Sequence, residues 1–408
     1  MRTMTAAECH SKGRALFENG DFQEARNLFA LALEAEPQNM QYMLDYAQVY
    51  VELGQHAKAE AFYLAALEIE PNSPLGNYRL GNLRKQYGQV IAAVEKYSLA
   101  IAATPDYFEA FNNRGGAYHI MGKFREATAD YLRAIELNPV LEEAYLNLGR
   151  LLDTEGDFDA AAKMYKRALE NGLNRELFTH LLESVSGGTS EKAPLGYVRA
   201  IFDGYAGAFD NYLVQQLGYT LPSLIGTQVR AIAAQRKDSL VALDLGCGTG
   251  LCGAEIAACV GHLVGVDVSA GMLDQADRRG VYHDLVDADI ERYLSDLEDA
   301  SIDVLIAADV FTFFGSLENL FAHAARVLRP DGAFIFSIEL LNELTDYRLQ
   351  HTGRFQHAVE YIERLAASSD MVSSCSEVVD LRIEQGCPVR GQLFAYNKRI
   401  GRGRVHDQ

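Results

Sequence analysis

Pro37, Pro71, Pro105 and Pro139 stand 34 residues apart, one interval after another. A fixed period of this length restricts a chain to stacked copies of one supersecondary unit, because each copy can bury its apolar face only against its neighbours. Other residue types keep the same interval. Ala25, Ala59, Ala93, Ala127 and Ala161 form one column; Ala32, Ala66, Ala100, Ala134 and Ala168 form a second; Phe29, Tyr63, Tyr97, Tyr131 and Tyr165 form a third. Alanines mark lines where two helices approach too closely for a larger side chain, and the aromatics fill the space behind them. Gly13, Gly81, Gly115 and Gly149, interrupted by Ala47, extend that close approach into the first helix of each pair. Each proline is expected to start the next helix after a short turn.

These columns resemble the tetratricopeptide repeat family over about residues 6–175. The resemblance implies five helix pairs wound into a right-handed α-solenoid, with a concave face that holds a protein or peptide partner. Counting from the repeat starts puts Asn82, Asn113 and Asn147 on that face, where their amides offer a donor and an acceptor to an extended peptide. The basic clamp with which some relatives grip a C-terminal carboxylate is missing, so that mode of binding is not expected. A helix from Arg175 to Ser184 is expected to cap the array, and the small polar residues up to Pro194 to form a linker. The expected organisation is a repeat domain over 1–184, a linker over 185–194 and a second domain over 195–408.

A chain of 408 residues exceeds what one core usually serves, which agrees with two domains. No apolar run is long enough to span a bilayer, and the first residues lack the apolar core of a secretory signal, so a soluble cytoplasmic protein is expected. The six cysteines lie scattered, without companions at metal-ligand spacing, and no metal site is expected. A net charge of −19 argues against a nucleic-acid partner, because it repels a phosphate backbone.

From Leu240 onward short β-rich runs alternate with helical stretches, the pattern of a mostly parallel sheet covered on both faces. The first run ends in Asp244-Leu245-Gly246-Cys247-Gly248-Thr249-Gly250, a turn that lets backbone approach a ligand and opens a helix whose N–H groups face the carboxyl edge of the sheet. Gly248, Gly250 and Gly253 also spell the dinucleotide-binding pattern, so the turn alone decides nothing. Asp244, just inside the turn, suits an ammonium group and would oppose a pyrophosphate. Asp267 ends the second run, where a ribose diol would lie, with Val268 and Met272 beside an adenine. Asp289 and Ile290 follow the third run, where a carboxylate can accept an exocyclic amine.

Together VALDLGCGTG, VGVDVSAGML, DADI and LRPDGAF resemble the class I S-adenosylmethionine-dependent methyltransferases over about Asp238 to Asn397. The resemblance implies a Rossmann-like α/β domain with a mostly parallel sheet and an antiparallel C-terminal hairpin. It also implies S-adenosylmethionine as cofactor, S-adenosylhomocysteine as product and no metal. Asp244, Gly246, Cys247, Gly248 and Gly250 then belong to the methionine-binding turn, Asp267, Val268 and Met272 to the ribose and adenine contacts, and Asp289 and Ile290 to the adenine pocket. Asp309 takes the fourth-strand position that faces the methionine moiety or the acceptor.

Upstream, IFDGYAGAFD resembles a lid segment of several such enzymes, with Phe202, Tyr205 and Phe209 on one helical face and Tyr205 toward cofactor or substrate. Downstream, Tyr347 to His357 forms a polar insertion in which Arg354 could grip a carboxylate and His351 or His357 could remove a proton. The leading expectation is an enzyme that methylates a protein or peptide recruited by the repeat groove. The alternatives are methylation of a small carboxylate or biosynthetic intermediate, with the repeats for docking or self-association, and a non-catalytic repeat scaffold.

Overall fold

The computed structural model describes residues 4–205, 209–210, 218–384 and 387–399, without the side chains of Gly204, Tyr205 and Glu384. The chain divides into two units, Met1–Asn174 and Arg175–Gln408.

In the first unit the helices pair as the periodicity requires: α1 (Ala6–Glu18) with α2 (Phe22–Ala35), α3 (Met40–Glu52) with α4 (His56–Ile69), α5 (Pro74–Gln86) with α6 (Val90–Ala103), α7 (Phe108–Ile120) with α8 (Phe124–Leu137), and α9 (Glu142–Thr154) with α10 (Phe158–Glu170). All ten alanines of the two columns are 0% exposed, and the five aromatics are at most 2% exposed. The glycine column has a steric cause. A Cβ on Gly149 would lie 2.3 Å from the Tyr165 ring, and one on Gly81 would lie 2.7 Å from Tyr97. Any side chain there would push the pair apart. The prolines do not start helices. Pro37, Pro71, Pro105 and Pro139 follow the capping residues Glu36, Glu70, Thr104 and Asn138, and the next helix begins later in the turn. Each capping residue has left helical geometry, as the clash with a following proline ring demands.

The second unit begins earlier than the sequence led us to expect. Helix α11 (Arg175–Ser186) falls in this unit. Its buried His180 donates from Nε2 to the Gly353 carbonyl at 3.0 Å and packs on Tyr197 and Phe355. The segment that follows is not a free linker, since Ala193 N–H donates to Phe313 O and Gly315 N–H to Glu191 O.

Next come α12 (Leu195–Tyr205), α13 (Leu221–Gln235), β1 (Val241–Leu245), α14 (Leu251–Ile256), β2 (His262–Asp267), α15 (Ala270–Arg279), β3 (Asp284–Asp287), α16 (Ile290–Asp296), β4 (Ile302–Ala307), α17 (Glu318–Val327) and β5 (Leu328–Glu339). A ribbon of β6 (Tyr347–Leu349) and β7 (Phe355–His357) leads into α18 (Val359–Ser368) and the hairpin β8 (Met371–Glu384) and β9 (Cys387–Lys398). The sheet order is β3-β2-β1-β4-β5-β9-β8, with the first five strands parallel and β9 antiparallel to both its neighbours, β5 and β8. β1 and β4 are buried because helices cover both faces. The strand order reverses direction at β1 and β4, so the crevice at their carboxyl ends is the natural ligand site. No helix among the described residues is long and apolar enough to cross a membrane.

Candidate active site

The turn after β1 is held by its own backbone. Gly246 and Cys247 N–H both donate to Val266 O, at 2.7 and 3.0 Å, Gly250 N–H donates to Cys247 O, and Gly248 N–H donates to Asp267 Oδ2 at 2.9 Å. These turn amides therefore shape the turn and are not spare donors for a ligand. At Gly246, φ is +64° and a Cβ would stand 2.6 Å from Val310, so only glycine fits. A Cβ on Gly248 would project into open space, which leaves a cradle beside Asp267. Cys247 is buried, and a Cβ on Gly265 would touch its Sγ, so this thiol faces the core behind the turn.

Asp244, at the end of β1, is 1% exposed and accepts a hydrogen bond from Tyr282 Oη at 2.7 Å. No cation pairs with it among the described residues. Burial pushes its carboxyl up to about 7, although the Tyr282 hydroxyl pulls it down. A buried carboxylate without a cation has a charge to satisfy, and an amino-acid ammonium would supply the partner. Asp267 is buried at the end of β2 and accepts from Gly248 N–H and from Ser269 N–H at 2.9 Å each. Burial raises its carboxyl too, against those N–H donors. Its remaining lone pairs lie beside the cradle, as a ribose diol needs.

An apolar cleft of about 50 Å³ is lined by Leu195, Val198, Val268, Ile290, Val310, Phe313 and Phe314, with Asp289 and Lys192 at its polar end. Val268 and Ile290 fall where the sequence places an adenine. Asp289 is already engaged: Oδ1 caps α16 through Arg292 N–H, and Oδ2 takes Lys192 Nζ at 2.6 Å. Lys192 also reaches Glu291 at 2.9 Å and lies over the Phe314 ring. Burial alone would lower the Lys192 ammonium, but the bonds to Asp289 and Glu291 raise it. Met272 is fully buried on α15 and is core, not a wall of this cleft.

Asp309 departs from its expected part. With φ at +56°, it sends both carboxylate oxygens to Arg382 Nη1, at 3.0 and 2.9 Å, and its N–H to Ser337 Oγ. Arg382 is 3% exposed and also bonds Glu339, which lies 4.0 Å from Arg354. Two acids and two arginines therefore cluster at the ends of β4 and β5, with Arg382 and Glu339 buried. Burial raises the Glu339 carboxyl, and Arg382 opposes that rise.

Segment α12 is latched onto these loops. Arg199 donates to Val268 O at 2.7 Å and to Asp287, Asp203 accepts from Ser269 Oγ and Gly271 N–H, and Asp210 is held by Thr249 and Arg279. Phe202 packs edge-on against Phe209 and Phe313. The Tyr205 side chain lies outside the described residues. On the insertion, Arg354 is about one-third exposed, whereas His351 is exposed in the turn between β6 and β7. His357 is fully buried, donates from Nε2 to Gly315 O at 3.0 Å and stacks on Tyr361, and burial lowers its imidazole to about 4. It is a neutral brace for the ribbon and cannot meet an acceptor as a base.

In the array the groove asparagines bond side chains of their own and neighbouring repeats. Asn82 Oδ1 accepts from Tyr97 Oη at 2.8 Å and from Asn113 Nδ2 at 3.0 Å, Asn113 also bonds Tyr78 and Lys85, and Asn147 Nδ2 donates to Asn112 at 3.1 Å. They form a ladder that ties repeat to repeat. A cavity of about 370 Å³ opens elsewhere, between Phe17, Phe29, Asp45, Leu75 and Arg79.

Sequence reading missed Tyr282, Lys192 and Arg382. Arg382 left a signal, being a cation inside a β-rich run. The other two sit in no motif.

This crevice, with its acid at the end of each of the first two strands, defines a class I methyltransferase domain, and the stacked helix pairs define a tetratricopeptide array. Comparison with known proteins agrees: residues 243–336 match the methyltransferase domain family, and residues 10–74, 108–139 and 142–171 match tetratricopeptide repeat families. The chain is 32% identical over 132 residues to the biotin biosynthesis bifunctional protein BioHC of Saccharophagus degradans, covering 31% of this chain and 21% of that protein. It is 30% identical over 160 residues to the malonyl-[acyl-carrier protein] O-methyltransferase of Methylovorus sp., covering 34% of this chain and 49% of that one. It thus spans from a fifth to a half of the length of these curated relatives. Among solved structures, MamA is 27% identical with a TM-score of 0.36, over 39% of this chain and 92% of that one.

Proposed function

We propose that the second unit binds S-adenosylmethionine and transfers its methyl group to a carboxylate. The observation that carries the cofactor reading is the buried Asp244, which has no cation partner among the described residues and stands with a glycine cradle and an apolar cleft. When bound, S-adenosylmethionine supplies an electrophilic methyl group. Asp244 and Tyr282 would hold the amino-acid end, Asp267 the ribose, and Val268 and Ile290 the adenine. The latched α12 would limit water in the crevice and so keep the acceptor aligned and weakly solvated.

The acceptor reading rests on what surrounds the crevice. An ionised carboxylate needs no proton removed before it is methylated, and the one buried imidazole of the insertion is neutral and spent on Gly315. Arg354, 4.0 Å from Glu339, would steer a carboxylate. Relatives named for O-methylation of a malonyl group on a carrier protein have the same acceptor chemistry. A protein recruited by the array, the acceptor first expected, draws less support because Asn82, Asn113 and Asn147 already have partners.

The full chain incubated with methyl-labelled cofactor and a short dicarboxylate monothioester should yield label that mild alkali releases as methanol. Label stable to alkali would mean a nitrogen or hydroxyl acceptor, and no binding of S-adenosylhomocysteine by calorimetry would sink the cofactor reading.

A further inference from the structure

Three glycines surround one ring. A Cβ on Gly253 would lie 2.4 Å from Tyr282 Cζ and Oη, one on Gly250 would lie 2.9 Å from Cε2, and one on Gly265 would lie 2.9 Å from Cε1. No side chain tolerates such distances in a close-packed interior, so the ring occupies space that glycine alone leaves open. Two of these glycines belong to the spacing that imitates a dinucleotide fingerprint. Here they seat a tyrosine. The seat directs the Tyr282 hydroxyl to Asp244 Oδ2 at 2.7 Å, from the connection between α15 and β3. Burial and the neighbouring Asp244 carboxylate keep that hydroxyl protonated far above its ordinary range, so it remains a donor at every working pH.

We infer that Tyr282 is a positioning residue for the amino-acid end of the cofactor, fixing the Asp244 carboxylate so that its free oxygen meets an α-ammonium group. The inference rests on the cofactor reading above. The residue acts through Asp244 and has no part at the adenine end. It should therefore distinguish ligands that carry the amino-acid group from those that lack it. A ring that merely filled space would affect both kinds equally.

The test is calorimetric titration of the full chain with S-adenosylhomocysteine and with 5′-methylthioadenosine, which lacks the amino-acid end. The variants are Tyr282→Phe, Asp244→Asn and the double substitution. Tyr282→Phe keeps the ring in its seat and removes only the hydroxyl. It should weaken S-adenosylhomocysteine about tenfold, as loss of one hydrogen bond to a charged group implies, and leave 5′-methylthioadenosine within about twofold. The acid limb of S-adenosylhomocysteine binding should move to higher pH, because Asp244 loses the donor that favours its ionised form. In the Asp244→Asn background the second substitution should add nothing. Equal weakening of both ligands, unchanged S-adenosylhomocysteine affinity, or additive losses in the double variant would overturn the inference while leaving the cofactor site intact. Wild type that bound neither ligand would instead sink the cofactor reading and this inference with it.

Discussion

Asp244→Asn should make the empty second unit more stable, and by an amount that depends on pH. The Asp244 carboxyl titrates near 7 in the fold, against about 3.9 in an unfolded chain. The folded form therefore holds its proton more tightly than the unfolded form. Stability is full below the unfolded value and is lost as pH rises through the folded one. Linkage puts the loss at roughly 1–2 kcal/mol at pH 5 and about 4 kcal/mol at pH 8. Asparagine keeps an acceptor for Tyr282 and never ionises. Whatever its constant offset, its advantage over aspartate should grow by roughly 2–3 kcal/mol between those two pH values.

Differential scanning calorimetry reads this directly, because the transition that S-adenosylhomocysteine raises marks the second unit. For a unit of this size the growing advantage amounts to roughly 5–10 °C between pH 5 and 8. The same variant should lose most of its affinity for S-adenosylhomocysteine, so stability and binding would move in opposite directions. A stability difference that stayed constant across the pH range would refute the reasoning. It would mean that the carboxyl ionises as if exposed, and that no unpaired charge waits in the empty site.

Other consequences follow from the same geometry. Lys192→Met removes the partner of Asp289 at the adenine end, so calorimetry should show S-adenosylhomocysteine and 5′-methylthioadenosine weakened alike, by about tenfold or less. Gly253→Ala sets a methyl group against the Tyr282 ring and should cost about 1–3 kcal/mol, lowering only the melting transition that the ligand raises. Gly149→Ala, with its Cβ 2.3 Å from Tyr165, should cost a similar amount, about 1–3 kcal/mol, but lower only the transition that the ligand does not move.

Periodicity made the array legible because its energetics are local: each alanine and glycine column answers to an aromatic at a fixed offset, so the contact repeats with the sequence. The inner strand runs were legible for a similar reason, since parallel strands buried on both faces, as β1 and β4 are, read as apolar segments between turns. Even there, the unit boundary escaped, because the contact of His180 with Gly353 links residues far apart in the chain. The proline role escaped as well, since a turn and a helix start differ only by a few residues.

The site was legible as positions and not as charges. Asp244, Asp267 and Asp289 all lie at strand ends as expected, yet their chemical states differ because their partners come from elsewhere. Asp267 is satisfied by nearby N–H groups, Asp289 by Lys192 from the supposed linker, and Asp309 by Arg382 from the hairpin. Asp244 and Asp267 both keep buried carboxylates with no cation among the described residues, but Asp267 has two backbone N–H donors, whereas the donor to Asp244, Tyr282, belongs to no motif. The motif residues thus set where a ligand lies, and distant side chains set the charge it meets. Substitutions at Tyr282 and Lys192 should accordingly separate by ligand end, one sensed only through the amino-acid group and the other through the base.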